Sequence, residues 1–252
     1  MLCFNAAASW FLAEPRSSFK CRVKTSTMRS SRLTFARSVN VLRATANTSC
    51  AARPAIVCFE NGFHGRTLMG MSLTSKVMPY KKGFGPFAPE IYRAQAPYPY
   101  RGIGTAEALT SVEALFKSQV DPSSVAGMIY EPVQGEGGFH PAPDGFVEGL
   151  VEICARHGIV YISDEVQSGM CRTGYPAAVE RWGVEPDLIT WGKSMGGGMP
   201  IAGVTGRADI MDSVHPGGLG GTYVGNPVSC AAAIVALDQV LDPAFQEESR
   251  VF

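Results

Sequence analysis

The chain has 252 residues, enough for one or two domains with a sizeable core, and its 22 basic residues cancel 22 acidic ones. Its 46% hydrophobic and 17% charged content is that of an ordinary globular protein, and no apolar run reaches the roughly 18 residues of a membrane span. Seven scattered cysteines without a C-x-x-C pair, and four histidines without metal-ligand spacing, argue against a disulfide framework or zinc site and fit a reducing compartment.

The neutral total hides two unlike parts. Residues 1–59 hold nine Lys/Arg against one acid, Glu14, while residues 60–252 hold thirteen Lys/Arg against twenty-one acids. None of the 28 glycines precedes Gly62. Residues 1–53 are rich in Arg and Ser, nearly free of acids, and carry an apolar patch from Ala6 to Leu12. This composition is expected either of a mitochondrial transit peptide or of aberrant gene-model sequence at the start of a cytoplasmic protein. The basic residues are dispersed and lack an aromatic platform, so no nucleic-acid-binding arm is expected.

A globular unit is expected over residues 54–245, with a tail at 246–252. Ala55–Glu60 reads as a strand, Ala106–Gln119 as a helix with Leu109, Val112, Leu115 and Phe116 at helical spacing, and Val125–Tyr130 as a buried strand. Asp144 is expected to cap a helix running to His157, with Phe146, Val147, Leu150, Val151 and Cys154 on one face and Gly158 as its stop. Ile159–Ser163, Leu188–Trp191 and Ile201–Thr205 read as strands, followed by an Ala-rich helix from Pro227 to about Leu241. Strands alternating with helices predict a mostly parallel sheet covered on both faces, with ligands outside the carboxyl ends of its strands. Glu131, Asp164 and Lys193 all fall at such ends.

A Lys and an Asp placed this way suit pyridoxal 5'-phosphate chemistry. The amine of Lys193 can form a Schiff base with the cofactor aldehyde, and the Asp164 carboxylate can keep the pyridine nitrogen protonated. Asp164 could instead cap a helix, and Lys193, followed by Gly196, Gly197 and Gly198, could be a solvated loop residue. In Gly62-Phe63-His64-Gly65-Arg66-Thr67, Phe63 could stack on a flat ring and Arg66 could grip a carboxylate, or the segment is a tight turn with a surface Arg. Glu131 and Glu136 lie in a Gly-rich loop after a strand, where they could serve acid–base or Arg-pairing roles or simply be solvated.

The ordered motifs Gly62–Thr67, Glu131–Gly138 (EPVQGEGG), Asp164–Gly169 (DEVQSG), Trp191–Gly198 (WGKSMGGG) and Gly220–Pro227 (GGTYVGNP) resemble the class III pyridoxal phosphate-dependent aminotransferases. The contexts Met78–Glu90 and His215–Thr222 are most similar to the 4-aminobutyrate aminotransferases in that family. The resemblance implies an aspartate-aminotransferase-like type I α/β fold, a homodimer, and transamination of an ω-amino acid such as 4-aminobutyrate with 2-oxoglutarate. Neither metal, nucleic acid nor membrane is implied. It assigns Lys193 as the Schiff-base lysine, Asp164 as the pyridinium partner, Gln167 to the ring oxygen, and Val166 and Phe63 to the two ring faces. Thr222 would reach the cofactor phosphate of the neighbouring subunit. Arg66 would bind a substrate carboxylate, and Glu136 would be the carboxylate that switches between substrates.

The resemblance has three departures. The Gly/Ser phosphate loop expected some thirty residues before Gly62 reads Ser30–Ala36 without a glycine, and the family's C-terminal small domain is expected to be absent after Phe252. Cys171 stands where the family has a glycine, which is awkward if that backbone needs a positive φ. The alternatives are an acetylornithine- or ornithine-type class III aminotransferase, and a truncated fragment without turnover.

Overall fold

A computed structural model describes residues 53–251. The expectations for the transit segment and for the phosphate loop at Ser30–Ala36 lie outside the described residues. A six-stranded sheet is built from β1 (Ala55–Phe59), β2 (Ile91–Ala94), β3 (Val125–Tyr130), β6 (Val160–Asp164), β7 (Leu188–Trp191) and β8 (Gly203–Gly206), in the order β2-β1-β3-β6-β7-β8. Every pairing is parallel except β7 with β8, so this is the expected α/β fold with a mostly parallel sheet. A small antiparallel pair, β4 (Val133–Gln134) and β5 (His140–Pro141), follows β3.

The sheet is buried on both faces because its strands are apolar on both. In β1, Ala55, Val57 and Phe59 enter one core while Ile56 and Cys58 enter the other, the period-two alternation of a strand. The first core is covered by α2 (Thr105–Ser118) and α4 (Phe146–His157), through Ala108, Val112 and Leu115 of one and Phe146, Leu150 and Ile153 of the other. These helices approach closely at Gly149, where a Cβ would lie 2.5 Å from Leu109 Cδ1. Leu150 is fully buried, and truncating such a side chain costs about 2–5 kcal/mol. The other face is closed by α1 (Leu68–Leu73), through Leu73, and by α5 (Ala208–Met211), through Ile210 and Met211.

The turn α3 (Gly135–Gly138), α6 (Pro227–Val240) and α7 (Pro243–Val251) complete the described α-helices, beside short 3-10 helices at Pro99–Arg101, Pro122–Ser124, Ala178–Trp182 and Lys193–Gly196. Several expectations are corrected. The N-cap of α4 is Gly145 at φ 79°, not Asp144, because the chain enters through a left-handed turn that a Cβ-free residue tolerates. Ile153 joins Phe146, Val147, Leu150 and Cys154 as a buried residue of that helix face, and Val151 packs partly buried against the same core. The last strand is Gly203–Gly206 rather than Ile201–Thr205 and runs against β7, since only a short return joins them. The boundary at 245/246 falls inside α7, which begins where Asp242 Oδ1 accepts from Ala244 N with Pro243 in its first turn. At the other end Arg53, just before the expected domain start, already belongs to the fold. Its Nη1 donates to the carbonyls of His157 and Gly158 at the end of α4 and to that of Val125 at the start of β3.

Candidate active site

At the carboxyl ends of β1, β3, β6 and β7 lies a cavity of about 580 Å³, lined among others by Phe63, Glu131, Asp164, Val166, Gln167 and Lys193. Parallel strands end on one edge of the sheet, so groups more than a hundred residues apart in sequence meet there. Asp164 is the last residue of β6 and is 7% exposed. No helix follows it, so the helix-cap alternative falls away. Its Oδ1 accepts from the Thr190 hydroxyl at 2.8 Å and from the Val166 amide at 3.2 Å, and its Oδ2 lies 2.7 Å from His64 Nδ1.

His64 was not singled out by sequence, although it sits in the middle of the Gly62–Thr67 motif. Burial disfavours its charged form, but the hydrogen bond and charge of Asp164 outweigh burial and hold its pKa above the ordinary value. Burial likewise pushes Asp164 up, and the His64 hydrogen bond and charge, with Thr190 and Val166, bring it below the usual carboxylate range. The two form a buried ion pair with the carboxylate anionic, and Oδ2 keeps a lone pair for a further donor.

Two neighbouring acids organise the floor. Glu131, at the end of β3, accepts from the amides of Phe63 at 2.7 Å and Gly135 at 3.2 Å, tying two loops to the sheet. Burial raises its pKa to about 7. Glu165 accepts from Ser168 Oγ at 2.5 Å and from the amides of Ala178 and Val179 at 3.0 and 2.8 Å, which fixes the turn at 177–182. Gly135 leaves room for Gln167, whose side chain would collide with a Cβ there.

The groups at the mouth are differently placed. Lys193, two residues beyond β7, is exposed and has φ 45°, a left-handed conformation that is costly for a Cβ-bearing residue. Among the described residues its amine meets no carboxylate. Arg66 is exposed, its guanidinium carbon 4.9 Å over the Tyr80 ring, and Glu136 Oε2 accepts from Tyr80 Oη at 3.0 Å. Phe63, Val166, Gln167, Asp164 and Lys193 are therefore brought to one cavity, with Arg66 and Glu136 near its Phe63 side through Tyr80. Thr222 is exposed and is not part of that lining. Cys171 has φ 60°, so the backbone there does take the left-handed form that favours glycine.

The donor set fits pyridoxal phosphate at the ring end. It combines an anionic buried carboxylate, an amine without an ion-pair partner, an aromatic ring and a β-branched side chain around one space. Residues 25–251 match the family described as aminotransferase class-III. The 5-aminovalerate aminotransferase DavT of Pseudomonas putida is 47% identical over 200 residues, covering 79% of this chain and 46% of that protein. The 4-aminobutyrate aminotransferase GabT of Escherichia coli is 49% identical over 185 residues, covering 73% and 43%. The chain thus spans about half the length of the curated relatives it matches. Among solved structures, a thermostable (S)-enantioselective omega-transaminase from Thermomicrobium roseum superposes with a TM-score of 0.76 at 30% identity, over 84% of this chain and 51% of that one. By sequence motif, by fold and by the family match over residues 25–251, the chain belongs to the class III aminotransferases.

Proposed function

We propose that this chain carries the catalytic half-site for pyridoxal-phosphate-dependent transfer of an amino group from an ω-amino acid, of the 4-aminobutyrate or 5-aminovalerate kind, to a 2-oxo acid such as 2-oxoglutarate. The observation that carries the reading is that Lys193 and the Asp164 carboxylate, itself paired with His64, line one cavity. The likeness to DavT and GabT supports the substrate class, since 5-aminovalerate and 4-aminobutyrate each place an amine and a carboxylate at opposite ends of a short chain.

When bound, pyridoxal phosphate supplies an aldehyde that condenses with an amine and a ring that accepts the electron pair left when a neighbouring carbon loses a proton. The residues divide the remaining work. Asp164 Oδ2 would receive a proton-bearing ring nitrogen, with His64 behind it favouring the charged carboxylate. Phe63 and Val166 would hold the ring, and Gln167 would donate to the ring oxygen. Lys193 Nζ would be the point of attachment for the cofactor aldehyde, and as a free amine it could serve as the base and acid that moves a proton within the cavity it lines. Arg66 receives the substrate's terminal carboxylate. Glu136 adjusts the site between a substrate with an α-carboxylate and one without. Thr222, exposed and away from the cavity, is assigned to the cofactor phosphate of a second copy in a homodimer.

The test is an absorbance titration of the purified chain with pyridoxal phosphate beside Lys193→Ala, followed by borohydride. A visible band that the variant lacks and borohydride abolishes is expected. Amino transfer from 4-aminobutyrate, 5-aminovalerate and ornithine to 2-oxoglutarate is then compared, with the two ω-amino acids expected to lead. Absence of a Lys193-dependent band would sink the reading.

A further inference from the structure

Tyr80 stands between two opposite charges that do not meet. Its hydroxyl donates to Glu136 Oε2 at 3.0 Å, and the Arg66 guanidinium carbon lies 4.9 Å above its ring centroid. The same ring packs on Phe63 with centroids 4.8 Å apart. Lys76 Nζ, on the same segment after α1, donates to the Glu136 carbonyl oxygen at 2.7 Å. Glu136 is therefore held at both its backbone and its carboxylate, and Arg66 is held over the Tyr80 ring. Among the described residues no carboxylate pairs with Arg66.

We propose that Tyr80 is a positioning residue for substrate recognition: its ring keeps Glu136 off Arg66, leaving the guanidinium edge open to the terminal carboxylate of the substrate. The assignment rests on the reading of Arg66 and Glu136 given above. The physical reason is competition. A carboxylate tethered on an adjacent loop acts at an effective concentration in the millimolar range, enough to displace a free carboxylate of ordinary affinity from the same guanidinium. A cation–π contact holds the guanidinium without using up its N–H donors, which stay available for bidentate bonding. The hydrogen bond to Glu136 raises the Tyr80 pKa, so the phenol remains a donor across the neutral range.

The test uses valerate, a monocarboxylate without an amine, titrated calorimetrically into the full chain with and without pyridoxal phosphate. Tyr80→Phe keeps the spacer but frees Glu136 and is expected to bind valerate about fivefold more weakly. Tyr80→Ala removes the cation–π contact and the spacing together and is expected to lose about tenfold or more. Adding Glu136→Gln to Tyr80→Ala should restore most of the lost affinity, which a merely structural role of Tyr80 would not allow. If Tyr80→Ala fails to fold, the same rescue is read in Tyr80→Phe. Equal affinity in wild type and Tyr80 variants, failure of the rescue, or no valerate binding by wild type would overturn the assignment. Rescue without a Lys193-dependent band sinks the aminotransferase reading alone, and a band without rescue sinks the Tyr80 assignment alone.

Discussion

Along the strand ends, Asp164, Glu131 and Glu165 are buried and each accepts between two and four hydrogen bonds. At the mouth of the same cavity, Lys193, Arg66 and Glu136 are exposed, and among the described residues only Glu136 has a side-chain hydrogen bond. The difference follows from solvation. An ionisable group taken out of water must find partners or lose its charge, so the floor is organised by folding itself. Exposed groups stay hydrated and can exchange water for a ligand at little cost. The same site therefore has a rigid half that sets electronic character and a solvated half that selects what enters.

Substitutions should divide along this line, and the largest effect is expected on the floor. Asp164→Ala leaves a buried His64, the Thr190 hydroxyl and the Val166 amide without their acceptor, and should cost about 3–5 kcal/mol of folding stability in denaturant unfolding. A cost below about 1 kcal/mol would mean the floor is not preorganised.

Glu131 gives a subtler contrast. Its folded pKa of about 7 is above the ordinary carboxyl value of 4.5, so its contribution to stability is fully present below 4.5 and is lost as pH rises through about 7. The loss is on the order of 3 kcal/mol. Glu131→Gln should flatten the stability curve between pH 4.5 and 7, and an unchanged slope would remove Glu131 from the buried set.

The smallest effect is expected at the mouth. Lys193→Gly relieves a left-handed backbone and should raise stability by up to about 1 kcal/mol, read by thermal unfolding, while removing the visible band with pyridoxal phosphate. Destabilisation by this substitution would show that Lys193 belongs to the structural half after all.

Much of the frame was legible because its signals are local. β3 and β7 lie where apolar runs bounded by turn residues placed them, and Gly158 ends α4 at φ 63° as a left-handed cap. The failures are also physical. Six-residue α1 is too short to show a helical period, β2 has only Ala94 fully buried in four residues, and polar α7 is set by an Asp-Pro cap rather than an apolar face. Gly145 displaced Asp144 as the cap because the approach angle of the chain, not residue preference, selected the left-handed turn.

The sequence by itself determined that Asp164 ends one apolar strand and that Lys193 closely follows the end of another, because strand period and turn chemistry act over a few residues. Only the tertiary structure decided that His64, a hundred positions away, charges Asp164, and that Tyr80, fifty-six positions away, holds Glu136. Those contacts depend on strand order and loop direction at one edge of a parallel sheet, which no local pattern encodes.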